Sequence, residues 1–506
     1  MATKKIFKAV ATVTTLSVAT RAISFVFKIY LSRTLGAEVM GLYQICLSVF
    51  FLFSALAAGG LSTVLSRRVA EVNTKKDNDR GITMLSTALA VGSGIALTLI
   101  ALIFIFEPYM ELLFSDDRAV PLFLVMCPAL LSTTVYCLIR SWFCGNKQFT
   151  AFSTTEMLEE ILRILFTLLL VSGVVTGISG SYGIALAFTI SDIAVAIILI
   201  VLFFIKGGKF TKPSNYADLV KPAIPVTFMR VFSSLIITLV AVILPARLMA
   251  SGYSMSEATA SYGRITGMAN PLLYAPNAII SSLAIVLIPE MSQNGINKNY
   301  TALNRHINTA LKFTLIVCGV FMAFYCALGE ELCTLLYNDS IAGEYLEVAA
   351  YCMVLVPLNM IVNSALNSIG LEKEAFLCFI FGSIFMLASI YFLPQFIGIY
   401  AVVVANASTL LVSLGIGLYF LHKHSGYDCA FLKQFIIIVV FNIPCCYLAH
   451  TSYELFARYI GSYALISSGA LVAVMYFSLI WIFNLVDISG FINKSALKTK
   501  KLAVAK

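Results

Sequence analysis

The chain has 506 residues, of which 60% are hydrophobic and only 12% are charged. Its mean hydropathy is +0.93 and its formal net charge is +9. Soluble globular chains carry about 25% charged residues, so this composition excludes that class and indicates a polytopic membrane protein.

Apolar runs of about 20 residues recur along the whole chain, and each is long enough to cross about 30 Å of hydrocarbon as a helix. They predict an all-α membrane protein with about fourteen transmembrane helices. The predicted spans are residues 9–32, 39–65, 81–106, 119–142, 153–173, 183–205, 223–244, 263–289, 311–329, 345–366, 376–394, 398–421, 433–449 and 463–485. The first run contains Arg21 and Lys28, which argues against a cleaved signal peptide.

Lysine and arginine are unevenly divided between the predicted loops. The two tails and the even-numbered loops hold 25 of the 34 basic residues, and the opposite loops hold 5. Because basic residues in short loops stay cytoplasmic, this bias predicts that both termini face the cytoplasm. The basic loops therefore indicate membrane topology and contact with anionic lipid head groups, not nucleic-acid binding.

A weak internal repeat relates the two halves of the chain. Short turns carrying Gly and Lys follow the fourth and tenth predicted spans, and the first and seventh spans each contain an arginine, Arg21 and Arg230. The repeat predicts a first lobe of six helices over 1–205, a linker over 206–222 and a second lobe over 223–421. Residues 422–506 would then add helices 13 and 14 and a basic cytoplasmic tail. Repeats of this kind place a substrate site between two lobes.

Charged side chains inside the predicted spans are the strongest functional signal. A charged side chain at the bilayer centre costs about 2.5–3.5 kcal/mol even by translocon-insertion measurements, which give the lowest values. Such a residue is therefore expected to face an ionic partner or a water-filled cavity. A cationic interior indicates an anionic substrate. The candidate substrate-binding residues are Arg21, Lys28, Arg163, Arg230 and Arg264. For Lys28 and Arg264, and for Arg140, snorkelling to an interface is the alternative.

Acidic residues inside the spans have two possible roles, ion pairing and ion coupling. Glu159 precedes Arg163 by four residues, the spacing of a helical ion pair, which leaves Glu160 as a titratable group. Asp192 has no local partner, so it either pairs with a basic residue of another helix or carries a proton. Arg21 and Lys28, seven residues apart, lie within about 20° of each other on one helix face.

Glycine and proline suggest where helices bend. Gly59 and Gly60 interrupt the second span, and Pro271 and Pro276 interrupt the eighth. These four residues are candidate hinges, and a static kink is the alternative for each.

Nothing in the sequence predicts a metal or a cofactor. The 12 cysteines fall mostly in or beside the spans and are interpreted as small apolar residues, and the four histidines are scattered. No G-x-x-x-x-G-K-[ST] loop is present, which excludes an ATP-driven pump within one chain.

Three segments carry a family resemblance: TRAISFVFKIYLSRTLGAEVMGLYQ at 20–44, EMLEEILRI at 156–164 and SGYSMSEATASYGRITGMANPLLYAPNA at 251–278. They resemble the stage V sporulation protein B group, in the polysaccharide-transporter branch of the multidrug/oligosaccharidyl-lipid/polysaccharide exporter superfamily. The resemblance implies two six-helix bundles around a cavity that opens alternately to either side. It also implies that Arg21 corresponds to a pyrophosphate-binding arginine of the lipid II flippases. A second arginine of those flippases falls at Phe27, beside Lys28, so that contact is not carried over.

The sequence therefore predicts a flippase, not an enzyme, for polyprenyl-pyrophosphate-linked saccharides in a bacterial cytoplasmic membrane. The saccharide would be a peptidoglycan or spore-cortex precursor or a polysaccharide repeat unit. The expected partners are this substrate, the bilayer and enzymes of envelope or cortex synthesis. A multidrug cation antiporter of the same superfamily is the alternative, and a membrane polysaccharide polymerase or glycosyltransferase is third.

Overall fold

The structure is a computed structural model that describes residues 2–74, 78–171, 180–429 and 431–483. Within these ranges all regular secondary structure is helical, so the predicted all-α membrane class is confirmed. The ends of the predicted spans 153–173 and 463–485, and the basic tail, lie outside the described residues.

Nineteen α-helices are present in the described ranges. They are α1 (Ala2–Ser54), α2 (Gly60–Thr74), α3 (Asn78–Ile105), α4 (Ala119–Met126), α5 (Ala129–Gly145), α6 (Phe149–Val171), α7 (Gly180–Ile205), α8 (Tyr216–Ala250), α9 (Met255–Gly263), α10 (Asn270–Leu273), α11 (Pro276–Ile296), α12 (Tyr300–Tyr337), α13 (Ser340–Ala350), α14 (Leu355–Ser368), α15 (Glu372–Phe392), α16 (Pro394–Ile397), α17 (Ala401–Ser425), α18 (Phe431–Ile460) and α19 (Ala464–Ile482).

Nine helical stretches in the described residues are long and apolar enough to cross a membrane, or eleven if two bent helix pairs each count as one span. One of the nine, Val13–Asn73, covers the first two predicted spans without a loop. Its helix α1 is interrupted only at Gly36, whose φ of 77° favours glycine. The fifth predicted span coincides with α6, whose Glu156, Glu159, Glu160 and Arg163 make it too polar to be counted among the nine. The number fourteen stays a prediction.

The chain contacts divide it into two compact units. One contains residues 1–268 and 390–399, and the other contains residues 269–389 and 400–506, as far as they are described. In the first unit α8 packs on α1 and α2, and α9 packs on α1. These contacts group residues 216–268 with the N-terminal helices, whereas the sequence analysis assigned residues from 223 onward to a second lobe. The predicted six-helix lobes remain a prediction.

Small residues allow the closest helix approaches in the first unit. A Cβ on Gly41 of α1 would lie 2.0 Å from the carbonyl oxygen of Thr259, and a Cβ on Gly263 of α9 would lie 2.0 Å from that of Ala37. Neither position has room for a side chain, so α1 and α9 cross in backbone contact. Away from this crossing, α2, α3, α5, α7 and α8 share one apolar core that contains Leu65, Leu138, Phe143 and Phe203.

The second unit is centred on α12, which packs against α13, α18 and α19. Its backbone leaves the helical conformation at Leu328 (φ −136°). The carboxylate of Glu347 in α13 accepts a hydrogen bond from the N–H of Glu330 at 3.1 Å. This contact satisfies a backbone group that the interruption frees, as helices in an apolar medium require.

Candidate functional site

A largely buried cluster of charged side chains joins α6 to α7. The guanidinium of Arg163 lies 2.6 Å from Glu159, 3.4 Å from Glu160 and 3.5 Å from Asp192, measured from its nearest nitrogen to the carboxylate oxygen. The ion pair with Glu159 is the one that the four-residue spacing predicts. The contact with Asp192 crosses to the next helix, so one arginine serves three carboxylates.

Asp192 is the most enclosed member of the cluster, with its side chain only 6% exposed. The hydroxyl of Thr133 in α5 donates a short hydrogen bond to one carboxylate oxygen of Asp192, and Arg163 contacts the other. Of the two roles that the sequence left open for Asp192, the structure supplies the partner required for pairing. Whether Asp192 also carries a proton stays a prediction.

The rest of the cluster comes from α1 and α7. Lys28 is half-buried on α1 and is attracted electrostatically by Glu160. The ring of Phe188 lies 5.2 Å from the guanidinium carbon of Arg163, a cation–π distance. Three carboxylates thus share two cationic side chains, and the cluster has one excess negative charge when every group is ionised. Arg163 is occupied by this network, which weakens its candidacy as a ligand of an anionic substrate.

Arg230 lies on α8 and reaches over the start of α2. Its Nη2 donates to the hydroxyl of Thr63 at 2.9 Å, and its side-chain carbons cover Gly59. Both Arg230 and Thr63 are exposed. A hydroxyl orients the guanidinium without neutralising it, so the charge remains available to an anion.

Arg21 lies on the exposed side of α1 and has no carboxylate partner in the described part of the chain. Helices α1 and α8 pack against each other, so Arg21 and Arg230 belong to the same unit. The predicted lobes 1–205 and 223–421 would separate them. Both are predicted ligands, and the described contacts give neither of them a carboxylate partner.

The eighth predicted span is irregular where prolines were expected to interrupt it. Half-buried Arg264 begins a π-helical segment, Arg264–Ala269, which continues into the four-residue helix α10. Pro271 is in the first turn of α10, and Pro276 begins α11. Proline lacks a backbone N–H and is tolerated in a first helical turn, which explains why new helices start at these positions. Their role as hinges stays a prediction.

Gly59 and Gly60 do not break the chain into separate helices. Gly59 ends a π-helical segment, Ala55–Gly59, and Gly60 begins α2 directly after it. A Cβ on Gly60 would lie 2.1 Å from the Thr227 hydroxyl and 2.3 Å from the Ala223 carbonyl oxygen. Gly60 is therefore required for the contact between α2 and α8. The hinge role of both glycines remains a prediction.

A second charged cluster lies outside the predicted spans and was not predicted from the sequence. Arg118 lies 2.6 Å from Glu38 and 2.8 Å from Asp116, and the hydroxyl of Thr259 donates to Asp116 at 2.9 Å. Burial raises the pKa of Asp116, but the hydrogen bonds from Arg118 and Thr259 outweigh it and hold the pKa below its usual range. Only the pair Asp116 and Arg118 is close in sequence, and that spacing alone is not distinctive.

No group of three or more His, Cys, Asp or Glu side chains in the described ranges has an arrangement suited to a metal ion. The cavity lined by Leu56, Val91, Ile224 and Phe228 has a volume of about 330 Å³ and is mostly apolar. The candidate functional residues of the first unit lie in the charged clusters and not in this cavity.

The fold is that of the multidrug/oligosaccharidyl-lipid/polysaccharide exporter superfamily. The structure resembles the lipid II flippase MurJ in its inward closed conformation with a TM-score of 0.74 and 17% identity, covering 94% of this chain and 99% of that one. It also resembles an inward-facing multidrug resistance MATE transporter with a TM-score of 0.70 and 15% identity, covering 81% and 96%.

The chain belongs to the polysaccharide biosynthesis protein family, whose model matches residues 6–294. Stage V sporulation protein B of Bacillus subtilis is 24% identical over 385 residues, which cover 72% of this chain and 73% of that protein. Lipid II flippase MurJ of Bacillus subtilis is 20% identical over 454 residues, covering 83% and 84%. The resemblance recognised in the sequence is confirmed, and the chain is a multi-pass membrane protein of this superfamily.

Proposed function

We propose that the chain is an alternating-access flippase for polyprenyl-pyrophosphate-linked saccharides. Its substrate would be a peptidoglycan or spore-cortex precursor or a polysaccharide repeat unit, moved across a bacterial cytoplasmic membrane with both chain termini in the cytoplasm. The reaction involves no covalent step, so the protein would act as a transporter and not as an enzyme. Relatives that include a lipid II flippase support this substrate class.

The observation that carries the proposal is the contrast between the intramembrane arginines. Arg163 is matched by three carboxylates, whereas Arg21 and Arg230 have none among the described residues. An unmatched guanidinium in an apolar region is costly unless an anion reaches it. A pyrophosphate supplies that anion, because its oxygens accept paired hydrogen bonds from the planar fork of arginine.

The charge of the head group explains why a protein is needed. An anionic pyrophosphate with several sugar hydroxyls loses its hydration on entering hydrocarbon, at a cost far above thermal energy. Arginine side chains along the path replace part of that hydration with charge-assisted hydrogen bonds. Lys28 would add a weaker contact, because the nearby Glu160 already attracts it.

A multidrug cation antiporter is the second candidate, and one observation favours it. The cluster of Glu159, Glu160 and Asp192 contains more carboxylates than cationic partners, and such a site attracts cations. The same cluster serves equally well as a coupling site in a flippase.

Native mass spectrometry of the purified full-length protein distinguishes the two candidates. We expect co-purified polyprenyl-pyrophosphate saccharides in the wild type, a strong loss of them in Arg21→Ala and Arg230→Ala, and no loss in the control Arg458→Ala, whose exposed side chain lies on α18. Equal lipid occupancy in all four proteins, together with saturable binding of a cationic dye that Asp192→Asn abolishes, would favour the antiporter.

A further inference from the structure

Two cysteine thiols of the second unit meet where α12 packs on α18. Cys326 of α12 and Cys446 of α18 are side-chain neighbours in this contact. The thiol of Cys446 also donates to the backbone carbonyl of Ala323 at 3.6 Å. Because Ala323 lies one helical turn before Cys326, Cys446 faces the turn of α12 that carries its partner thiol. The two thiols therefore lie on facing turns of the two helices, a position that a cross-link requires.

The surrounding backbone holds Cys326 in place. The helix interruption at Leu328 follows Cys326 by two residues. Two residues further on, the N–H of Glu330 donates a hydrogen bond to the Glu347 carboxylate of α13. A Cβ on Gly343 would lie 2.3 Å from the Cα of Glu330, so α13 rests directly on this part of α12. A cross-link at Cys326 would thus connect α18 to a fixed point of the second unit.

Accessibility sets this pair apart from neighbouring cysteines. Cys326 and Cys446 are both partly exposed, whereas Cys445 and Cys318 on the same two helices are fully buried. A small oxidant reaches a partly exposed thiol more readily than a buried one. Cys445 is adjacent to Cys446 in sequence but points into the packed interior, which makes it a matched control.

The compartment also favours oxidation, a step that rests on the orientation in the proposed function. The predicted spans 311–329 and 433–449 both run outward from the cytoplasm, and each cysteine lies three residues before the outer end of its span. Disulfides form and persist on the oxidising, outer side of a cytoplasmic membrane and are rare on the reducing side.

We propose that Cys326 and Cys446 form a disulfide that ties α12 to α18 across 120 residues of chain. One cysteine thiolate attacks a disulfide-bearing oxidant and releases one of its thiols, and the second cysteine attacks the mixed disulfide and releases the other. The pair loses two protons and two electrons, and the disulfide of the oxidant is reduced to two thiols.

The test is non-reducing peptide mapping of the full-length protein in cell membranes, with free thiols blocked by N-ethylmaleimide before solubilisation. We expect a peptide joining Cys326 to Cys446 that is lighter by two hydrogen masses than the two thiol peptides together. Cys326→Ser should abolish this peptide and leave Cys446 alkylated. Cys445→Ser should leave the peptide unchanged.

A thermal melt in detergent provides a second measurement. Wild type and Cys445→Ser should melt at a lower temperature after reduction by dithiothreitol, because the cross-link no longer restricts the unfolded chain. Cys326→Ser should show no such shift. Alkylation of both cysteines in the membranes, or a peptide linking Cys326 to Cys445, would overturn the proposal. These readouts do not depend on which substrate is transported, so failure of the flippase proposal would be recognised separately.

Discussion

Arg163 of α6 and Asp192 of α7 lie with Nη2 and Oδ1 3.5 Å apart, which joins two helices through a charge contact in the interior of the first unit. The same arginine also holds Glu159 and Glu160 on its own helix. A single guanidinium that serves three carboxylates makes the cluster sensitive to its loss.

Loss of the guanidinium should therefore destabilise the protein more than loss of any one carboxylate. Arg163→Gln leaves Glu159 and Asp192 without a cationic partner and Glu160 with only the attraction of Lys28. Breaking a buried pair costs about 3–5 kcal/mol, and Asp192 is the buried member here. We expect only partial rescue in the double variant Glu159→Gln with Arg163→Gln, because Asp192 remains without a cationic partner. Adding Asp192→Asn should restore more of the stability, because Glu160 and Lys28 then remain as a pair of opposite charges.

Thermal melts in detergent would measure this series. The exposed pair Arg67 and Glu71 provides a matched control, since exposed ion pairs contribute about 0–1 kcal/mol. Full rescue by the double variant would mean that Glu160 and Asp192 do not depend on Arg163.

Arg21→Ala and Arg230→Ala should abolish or severely reduce transport while leaving the protein inserted and folded. Each removes a hydrogen-bonding charge worth about 1.5–3 kcal/mol, which corresponds to at least a tenfold loss of affinity. Arg21→Lys should retain partial function, because lysine keeps the charge but lacks the bidentate fork. Complementation of a strain lacking the gene, with immunoblots as the expression control, would measure this, and a fully active Arg21→Ala protein would contradict it.

Gly60→Ala should destabilise the contact between α2 and α8. The added Cβ would lie 2.3 Å from the Ala223 carbonyl oxygen, a backbone atom that cannot move aside without shifting a helix. Overpacking of this kind costs about 1–3 kcal/mol and sometimes more. Gly94→Ala on α3 is the control, since nothing lies within 4 Å of its added Cβ.

The melting temperature distinguishes packing from hinge motion at this glycine. A Gly60→Ala protein that melts like Gly94→Ala but no longer transports would favour the hinge prediction over the packing role.

Acidification should weaken the cluster of Asp116, Arg118 and Glu38. Burial raises the pKa of Asp116, but hydrogen bonds from Arg118 and Thr259 lower it by more, so the folded pKa is below the unfolded one. The stabilisation is then fully present at neutral pH and is lost as the pH falls below about 4 toward the folded pKa.

The melting temperature should drop over this pH range in the wild type and drop less in Asp116→Asn. The neighbouring Asp117, which is exposed, provides the control Asp117→Asn. Parallel pH profiles for wild type and Asp116→Asn would refute the role of this carboxylate.

The features that the sequence predicted correctly depend on neighbours along the chain. Composition and apolar run length predicted an all-α membrane protein, and a four-residue spacing predicted the pair of Glu159 and Arg163. The interruptions near Pro271 and Pro276 follow from the missing N–H of proline.

The features that the sequence left open or missed depend on contacts between distant residues. Thr63 and Arg230 are 167 residues apart, and Asp116 and Thr259 are 143 apart. Neither helix periodicity nor local charge order contains information about which helices become neighbours. The partner of Asp192 on α6, and the backbone contact that requires Gly60, likewise appear only once the helices are packed.

Membrane potential should drive the return of the empty transporter more strongly than the proton gradient does. In the proposed flippase cycle a gradient supplies the energy, and Arg21 and Arg230 together outweigh the one excess negative charge of the acidic cluster. A net positive charge that crosses the full field gains about 2.3 kcal/mol per 100 mV. This exceeds the 1.4 kcal/mol that corresponds to a tenfold bias. Substrate pyrophosphate neutralises that charge on the outward step, so the potential acts mainly on the return.

In proteoliposomes, valinomycin with high external potassium should stop flipping, and nigericin, which collapses only the pH gradient, should not. Inhibition by nigericin alone, with the sensitivity removed by Asp192→Asn, would instead assign coupling to protons carried by the acidic cluster.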